Sequence, residues 1–259
     1  MSKVIVPLNA FNVQDVLEKG QESFFQIIHA SEANGVEIRR ELFPKVILPL
    51  SCIREELTKY PLFTVYSAPV ELWKNDGSIN LEDVQQIFQE ADQIGASWLK
   101  VSLGHFCKEK SDVQLLKQIL LKEGNIQLLV ENDQTIYGGN IQNLKSFFEE
   151  ISKNDVPVKM TFDIGNWFYS GESVQEAIES LKEYVIYLHL KHVENRHNRL
   201  ITLPLPTNES AQWRKAVEQF PTNLNRALEF PIQPSSQLAL FVKLVGKRHE
   251  KVGKKVCSS

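Results

Sequence analysis

Four apolar runs in this chain end on a side chain that can hold a metal ion or carry a proton. "LLVEND" presents Glu131, "TFDIGN" presents Asp163, "YLHLKH" presents His189 and "ALEFPI" presents Glu229. Three carboxylates and one imidazole form a hard, oxygen-rich donor set suited to one divalent ion: Mn²⁺ first, or Mg²⁺, Co²⁺ or Zn²⁺. An ion also lets three acids share a small pocket that their mutual repulsion would otherwise forbid. Each residue has a structural reading too. Glu131 can cap the helical segment that follows, and Asp163 can bond the turn made by Gly165. His189 can be a core histidine with satisfied nitrogens, and Glu229 can pair with Arg226 or Lys191. Which reading holds depends on whether the fold brings the four together.

The elements that must position them alternate along the chain. Short apolar runs, "KVIVPLNAF", "GVEIRREL", "LFTVYSAP", "SWLKVSLG", "IQLLVEND", "VKMTFDIGN", "VIYLHLKHV" and "RALEFPI", each precede a segment with helical periodicity. In "LEDVQQIFQEADQIGA", Leu81, Val84, Ile87, Phe88, Ala91 and Ile94 fall on one stripe. "SVQEAIESLKEY" opens with Ser173 and Glu176 at capping-box spacing. The strand runs are almost continuously apolar, as in a parallel sheet buried on both faces. Eight such units in about 250 residues is the count for a (β/α)8 TIM barrel. A doubly wound open sheet is the alternative, but no GxGxxG follows the first strand. No Pro/Gly/Ser linker interrupts the units, so residues 1–259 read as a single barrel domain. The basic ending "GKRHEKVGKKVCSS" reads as a frayed tail from about residue 250.

Composition narrows the partners. The formal net charge is −3, which gives no basic field for nucleic acid or for an anionic membrane surface. The three cysteines, Cys52, Cys107 and Cys257, lack any CxxC spacing and fit a reducing, cytoplasmic setting. The N-terminal "MSKVIVPLNAF" is too short an apolar run for a secretory signal, and no stretch approaches the ~18 residues of a membrane span.

In a (β/α)8 barrel the chemistry sits at the C-terminal ends of the strands. Glu131, Asp163, His189 and Glu229 end strands five to eight, and neighbouring strands lie about 4.8 Å apart, so the four can converge on one ion. That pattern resembles the sugar-phosphate isomerase/epimerase family, the xylose-isomerase-like group of ketose 3-epimerases, hydroxypyruvate isomerase and, more distantly, endonuclease IV. The resemblance covers nearly the whole chain. "VEIRREL", "SAPVELW", "WLKVSLG", "LLVENDQT" and "TFDIGNW" are particularly similar to epimerases encoded with 2-ketogluconate utilisation genes. The resemblance implies Glu131, Asp163, His189 and Glu229 as metal ligands, and Glu131 and Glu229 as the acid/base pair. The chemistry is coherent in itself. A carbon next to a carbonyl is a weak acid, an ion on the carbonyl and adjacent hydroxyl oxygens stabilises the enediolate, and two carboxylates move the proton. Return on the opposite face epimerises; return to the neighbouring carbon isomerises. The expected substrate is a small keto sugar, keto sugar acid or sugar phosphate, and barrels of this family often form homo-oligomers.

The chain departs from the family at two places. Many members carry a histidine three residues after the strand-six aspartate, where Asn166 stands here, and His192 replaces the acid of a His-Leu-Lys-Asp motif. Loss of the first histidine weighs against the multi-metal phosphodiesterase chemistry of endonuclease IV. A non-catalytic barrel that binds a sugar acid is the third alternative. Substrate contacts are expected from Lys191 and Arg196 as anion partners, and from Asn132 and Asn166 as hydroxyl partners. Glu37 and Arg39 share one face of strand two, where they can serve the substrate or form an internal ion pair, and Trp73 can wall the pocket. His192 and His197 fall in what reads as a polar loop.

Overall fold

The computed structural model describes residues 2–44 and 48–246. Eight parallel strands close into a barrel: β1 (Val4–Pro7), β2 (Gly35–Arg39), β3 (Phe63–Trp73), β4 (Trp98–Gly104), β5 (Gln127–Glu131), β6 (Val158–Asp163), β7 (Val185–Leu190) and β10 (Asn225–Leu228). Two further strands, β8 (His192–Arg196) and β9 (Arg199–Leu203), form a separate antiparallel hairpin after β7. The helices are α1 (Val13–Lys19), α2 (Phe25–Ala30), α3 (Leu50–Leu57), α4 (Leu81–Ile94), α5 (Val113–Leu120), α6 (Ile141–Lys153), α7 (Asn166–Ser170), α8 (Val174–Leu181), α9 (Gln212–Val217) and α10 (Leu238–Gly246). The basic tail expected from about residue 250 lies outside the described residues. Among those described, no helix is long and apolar enough to cross a membrane.

Alternation along the strands divides the apolar residues into two cores. Val4 and Val6, Val36 and Ile38, Leu128 and Val130, and Leu188 and Leu190 face outward into the main core. There they meet helix stripes such as Val84, Ile87, Phe88, Ala91 and Ile94 of α4. Ile5, Val65, Leu129, Tyr187 and Ala227 face inward and fill the barrel as a second cluster. Two residues beyond Leu129, Tyr187 and Ala227, on the same inward face, stand Glu131, His189 and Glu229. The apolar layer closes the barrel beneath them.

Three elements differ from the sequence expectation, each for a local reason. The first helical segment breaks at Gly20, whose φ of 81° no ordinary side chain adopts readily, into α1, a 3₁₀ turn and α2. The register irregularity between Ser67 and Glu71 carries β3 on to Trp73, so Trp73 ends a strand instead of sitting in a loop. The segment after β7 is a hairpin, not a polar loop. His197 and Asn198 occupy its turn at φ 53° and 62°, both left-handed, as a tight hairpin turn requires.

Candidate active site

The register of the barrel delivers the four candidate ligands to one level. Asp163 is paired with His189, His189 with Ala227, and Glu131 with Thr161, two residues before Asp163. Glu229 extends the last strand by donating its N–H to the Leu190 carbonyl. His189 Nδ1 lies 3.0 Å from Glu131 Oε1, 3.0 Å from Glu229 Oε2 and 3.9 Å from Asp163 Oδ2. One ligand atom from each of the four lies within 4.8 Å of the others.

The turn after β6 shows how Asp163 is held. Its Oδ1 accepts the N–H groups of Gly165 (2.7 Å) and Asn166 (2.9 Å), satisfying the start of α7 and leaving Oδ2 directed inward. Asn132 bonds the Asp163 backbone twice: its Nδ2 donates to the carbonyl at 2.9 Å and its Oδ1 accepts the N–H at 2.8 Å. Gly165 is needed for a different reason, since a Cβ there would overlap the stem of Lys191. That close approach lets Lys191 Nζ reach Asp163 Oδ2 at 2.6 Å and Glu229 Oε2 at 2.8 Å.

His189 is fixed from behind. Its Nε2 lies 2.9 Å from Glu37 Oε2, an oxygen that also accepts from Tyr187 Oη at 2.8 Å. The other Glu37 oxygen takes Arg39 Nη1 at 2.9 Å and Lys100 Nζ at 3.2 Å. Lys100 bridges onward to Glu131 Oε2 at 2.6 Å, and Arg39 to Glu229 Oε1 at 3.1 Å. The charged groups thus form one connected network, in which a low dielectric strengthens every pairing.

The network sets the protonation states. Burial by itself would raise Glu131 and Glu229, but Lys100 and His189 hold the first carboxyl below its ordinary range, and Lys191 and His189 the second. Glu37 is likewise held far down against its burial by Lys100, His189 and Arg39. Burial, joined by the charges of Glu229 and Glu131, outweighs Lys191 at Asp163 and pushes it up to about 8. Burial and Lys100 depress His189, yet the surrounding carboxylates win and hold it well above its ordinary value.

These residues fit a divalent ion. Glu131 Oε1, Asp163 Oδ2 and His189 Nδ1 are buried, and their partners lie within the cluster: Nδ1 is 3.0 Å from Glu131 Oε1, and Lys191 Nζ is 2.6 Å from Asp163 Oδ2. Three carboxylates with ligand atoms this close repel one another unless positive charge sits among them, and a divalent ion bound by the four would supply it. With Nε2 held by the Glu37 carboxylate, Nδ1 is the imidazole nitrogen that faces the cluster, the arrangement found around metal-bound histidines.

Of the four, Glu131 and Glu229 line a cavity of about 470 Å³, while Asp163 and His189 are fully buried and do not line it. Arg39, Lys100, Glu131, Asn166, Lys191 and Glu229 line it, together with Asn9, Ser67, Ser102, Asp133, Gln134 and Thr202. The hairpin contributes Thr202, tied to Tyr169 Oη at 2.9 Å.

Several expected substrate contacts lie elsewhere. Glu37 sits beneath His189, fully buried, and does not line the cavity. Asn132 is also buried, with its amide committed to Asp163. Trp73 does not wall the pocket: it is buried with its ring against Phe106, because the extended β3 turns it into the main core. Arg196 does not reach the mouth. It is half exposed near the hairpin turn and pairs with Glu194 at 3.0 Å. Two participants were not anticipated from the sequence. Lys100 carried a signal, a lysine amid the apolar residues of "WLKVSLG"; Asn9, in the 3₁₀ turn after β1, carried none.

No family model matches the sequence, and no curated protein does. Solved structures match over almost the full length. The IolI protein with a bound zinc atom aligns with a TM-score of 0.69 at 11% identity, covering 94% of this chain and 98% of that one. A xylose isomerase domain containing protein from Salmonella typhimurium aligns with a TM-score of 0.66 at 16% identity, covering 95% and 93%. The 3-keto-D-glucoside 4-epimerase of E. coli aligns with a TM-score of 0.59 at 12% identity, covering 94% and 99%. Endonuclease IV from Thermus thermophilus also matches, with a TM-score of 0.61 at 16% identity over 94% and 98%. At such identities the likeness establishes the fold, and the fold is a xylose-isomerase-like TIM barrel.

Proposed function

We propose that this protein is a divalent-metal-dependent isomerase or epimerase that moves a proton on the carbon beside a carbonyl in a small keto sugar. One observation carries the reading: Glu131 and Glu229 line the same cavity, each held ionised by its own buried lysine, with Asp163 and His189 between them. Sugar epimerases among proteins of the same fold support it.

Glu131, Asp163, His189 and Glu229 would hold the ion. When bound, it would supply Lewis-acid stabilisation of the negative charge that develops on substrate oxygen as the carbon is deprotonated. The remaining work belongs to the chain. Glu131 and Glu229 are the proton carriers, and an ionised carboxylate is the state a base requires. Lys100 orients Glu131 through Oε2, and Arg39 and Lys191 fix both oxygens of Glu229, so neither base swings away from the cavity. Removal by one and return by the other on the opposite face inverts the carbon. Return by the first to the neighbouring carbon interconverts ketose and aldose. The apolar layer below the cluster keeps water from the back of the site.

Incubation with Mn²⁺ and free or phosphorylated keto sugars in D₂O tests the proposal. Carbon-bound deuterium, detected by NMR and dependent on added ion, is the expected result. Absence of exchange across the panel, or cleavage of abasic DNA in its place, would refute it. The endonuclease reading gains no support from the site, because the described residues contain one candidate ion cluster, of four ligands.

A further inference from the structure

Glu37 and Arg39 share one face of β2, and their surroundings give them different duties. Glu37 is fully spent on Tyr187, His189, Arg39 and Lys100. Arg39 is not. A guanidinium carries N–H donors on each of its nitrogens, in a fixed planar fork. Here Nε donates to Glu41 Oε1 at 2.7 Å, and Nη1 to Glu37 Oε1 at 2.9 Å and Glu229 Oε1 at 3.1 Å. Nη2 has no partner among the described residues, although Arg39 lines the cavity and its side chain is 15% exposed. The surrounding carboxylates already balance its charge, so what Arg39 still offers is a short-range, charge-assisted donor.

The end of β2 is fixed as firmly as the end of β6. Gln21 is buried at the start of the 3₁₀ turn between α1 and α2, and its Nε2 donates to the Arg39 carbonyl at 2.8 Å. Its Oε1 accepts the Arg39 N–H, also at 2.8 Å. Asn132 makes the same double clamp on Asp163. A pure counter-charge requires only the contacts of Nη1, which a lysine ammonium can also make. The open nitrogen stands beside a base as well. Nη1 and Nη2 share one carbon, and Nη1 holds Glu229, so a ligand seated against Glu229 in this cavity meets the same guanidinium.

We infer that Arg39 is a catalytic residue: through Nη2 it donates to the ligand oxygen that becomes negatively charged when the adjacent carbon loses its proton. The electron count closes without a further reactant. A carboxylate takes the proton, the C–H electron pair becomes the carbon–carbon double bond of the enediolate, and the carbonyl pair moves onto oxygen. The guanidinium keeps its protons. A charge-assisted donor tightens as that oxygen gains charge, so Arg39 favours the transition state over the bound ketone. This role rests on the proposed function for its chemistry, but binding tests the donor apart from turnover. Oxalate is the probe, because its planar dianion presents the paired, charged oxygens of an enediolate. Calorimetry would titrate oxalate into the full chain loaded with Mn²⁺, and Mn²⁺ affinity would be measured for the same proteins. Arg39→Lys keeps a cation beside Glu37 and Glu229 but has no second nitrogen. It is expected to bind oxalate about 10- to 100-fold more weakly, the loss of one charge-assisted hydrogen bond, while Mn²⁺ affinity falls by no more than about threefold. Gln21→Leu frees the Arg39 backbone and removes no charge, and it too should weaken oxalate more than Mn²⁺. Arg39→Lys that binds oxalate as tightly as the parent would overturn the role, and so would a parent that forms no ternary complex. Equal losses of oxalate and Mn²⁺ affinity in both variants would also overturn it, since a purely structural arginine produces that result. Arg39-dependent oxalate binding by a protein that exchanges no deuterium would uphold the donor and sink the proton-transfer reading.

Discussion

Replacing Glu37 by Gln keeps the shape of the side chain and removes its charge, at a position with 0% exposure. The native carboxylate accepts from four donors: Tyr187 Oη and His189 Nε2 on one oxygen, Arg39 Nη1 and Lys100 Nζ on the other. An amide has one carbonyl oxygen, so its NH₂ must face one of these donor pairs. If it faces Arg39 and Lys100, the first retains Glu41 and Glu229 and the second retains Glu131. If it faces His189, the imidazole loses the partner that fixes its orientation. Removing one member of a buried charge network costs about 3–5 kcal/mol. For a domain of this size that corresponds to a fall in melting temperature of roughly 6–20 °C. Loss of such a histidine partner weakens metal binding by about 10- to 100-fold. Thermal denaturation at a matched scan rate, together with calorimetric Mn²⁺ titration, measures both. The double variant Glu37→Gln/Lys100→Met is expected to recover part of the stability, because it removes a cation along with its counter-charge, but none of the ion affinity. A single variant that melts within about 2 °C of the parent and binds Mn²⁺ equally well would refute the role of Glu37 as the support of His189.

Other outcomes follow from the same geometry. Glu229→Gln should lower deuterium exchange by about 10²- to 10⁴-fold with unchanged circular dichroism, and full activity would remove Glu229 from the mechanism. Gly165→Ala should destabilise by about 1–3 kcal/mol through overlap with the Lys191 stem, and Lys191→Ala should relieve it; a fully additive double variant would refute the contact. Mn²⁺ at about 100 times its dissociation constant should add about 2.7 kcal/mol, read as a rise in melting temperature that a chelator reverses. Burial raises Glu90, but the Arg40 guanidinium at 2.7 and 2.9 Å and Tyr66 Oη at 2.6 Å outweigh it and hold the carboxyl below its ordinary value. A depressed folded-state value contributes stability above the unfolded value, near about 4.3, and that stability is lost as pH falls further. Glu90→Gln should therefore show a shallower acid limb than the parent, and an identical limb would contradict this.

The chain's own pattern declared the barrel and the place of its chemistry. Near-continuous apolar runs alternating with amphipathic segments define eight strands, and a polar residue that ends such a run marks the rim; Glu131, Asp163, His189 and Glu229 were legible on that ground. These signals are local, with periods of two and about 3.6 residues, and so survive in a linear reading. What each polar group touches does not. Glu37 meets His189 across 152 positions of sequence, and Lys100 meets Glu131 across 31. Those pairings follow from strand stagger around a closed sheet, which no local pattern encodes. The same limit explains the side chains that moved. Trp73 went into the core because β3 continues past an irregularity, Arg196 turned outward with its hairpin, and Asn132 was committed to the Asp163 backbone. Sequence determined which residues arrive at the mouth of the barrel. Only closure of the barrel decided which charges neutralise one another there, and so which polar atoms remain open to a ligand.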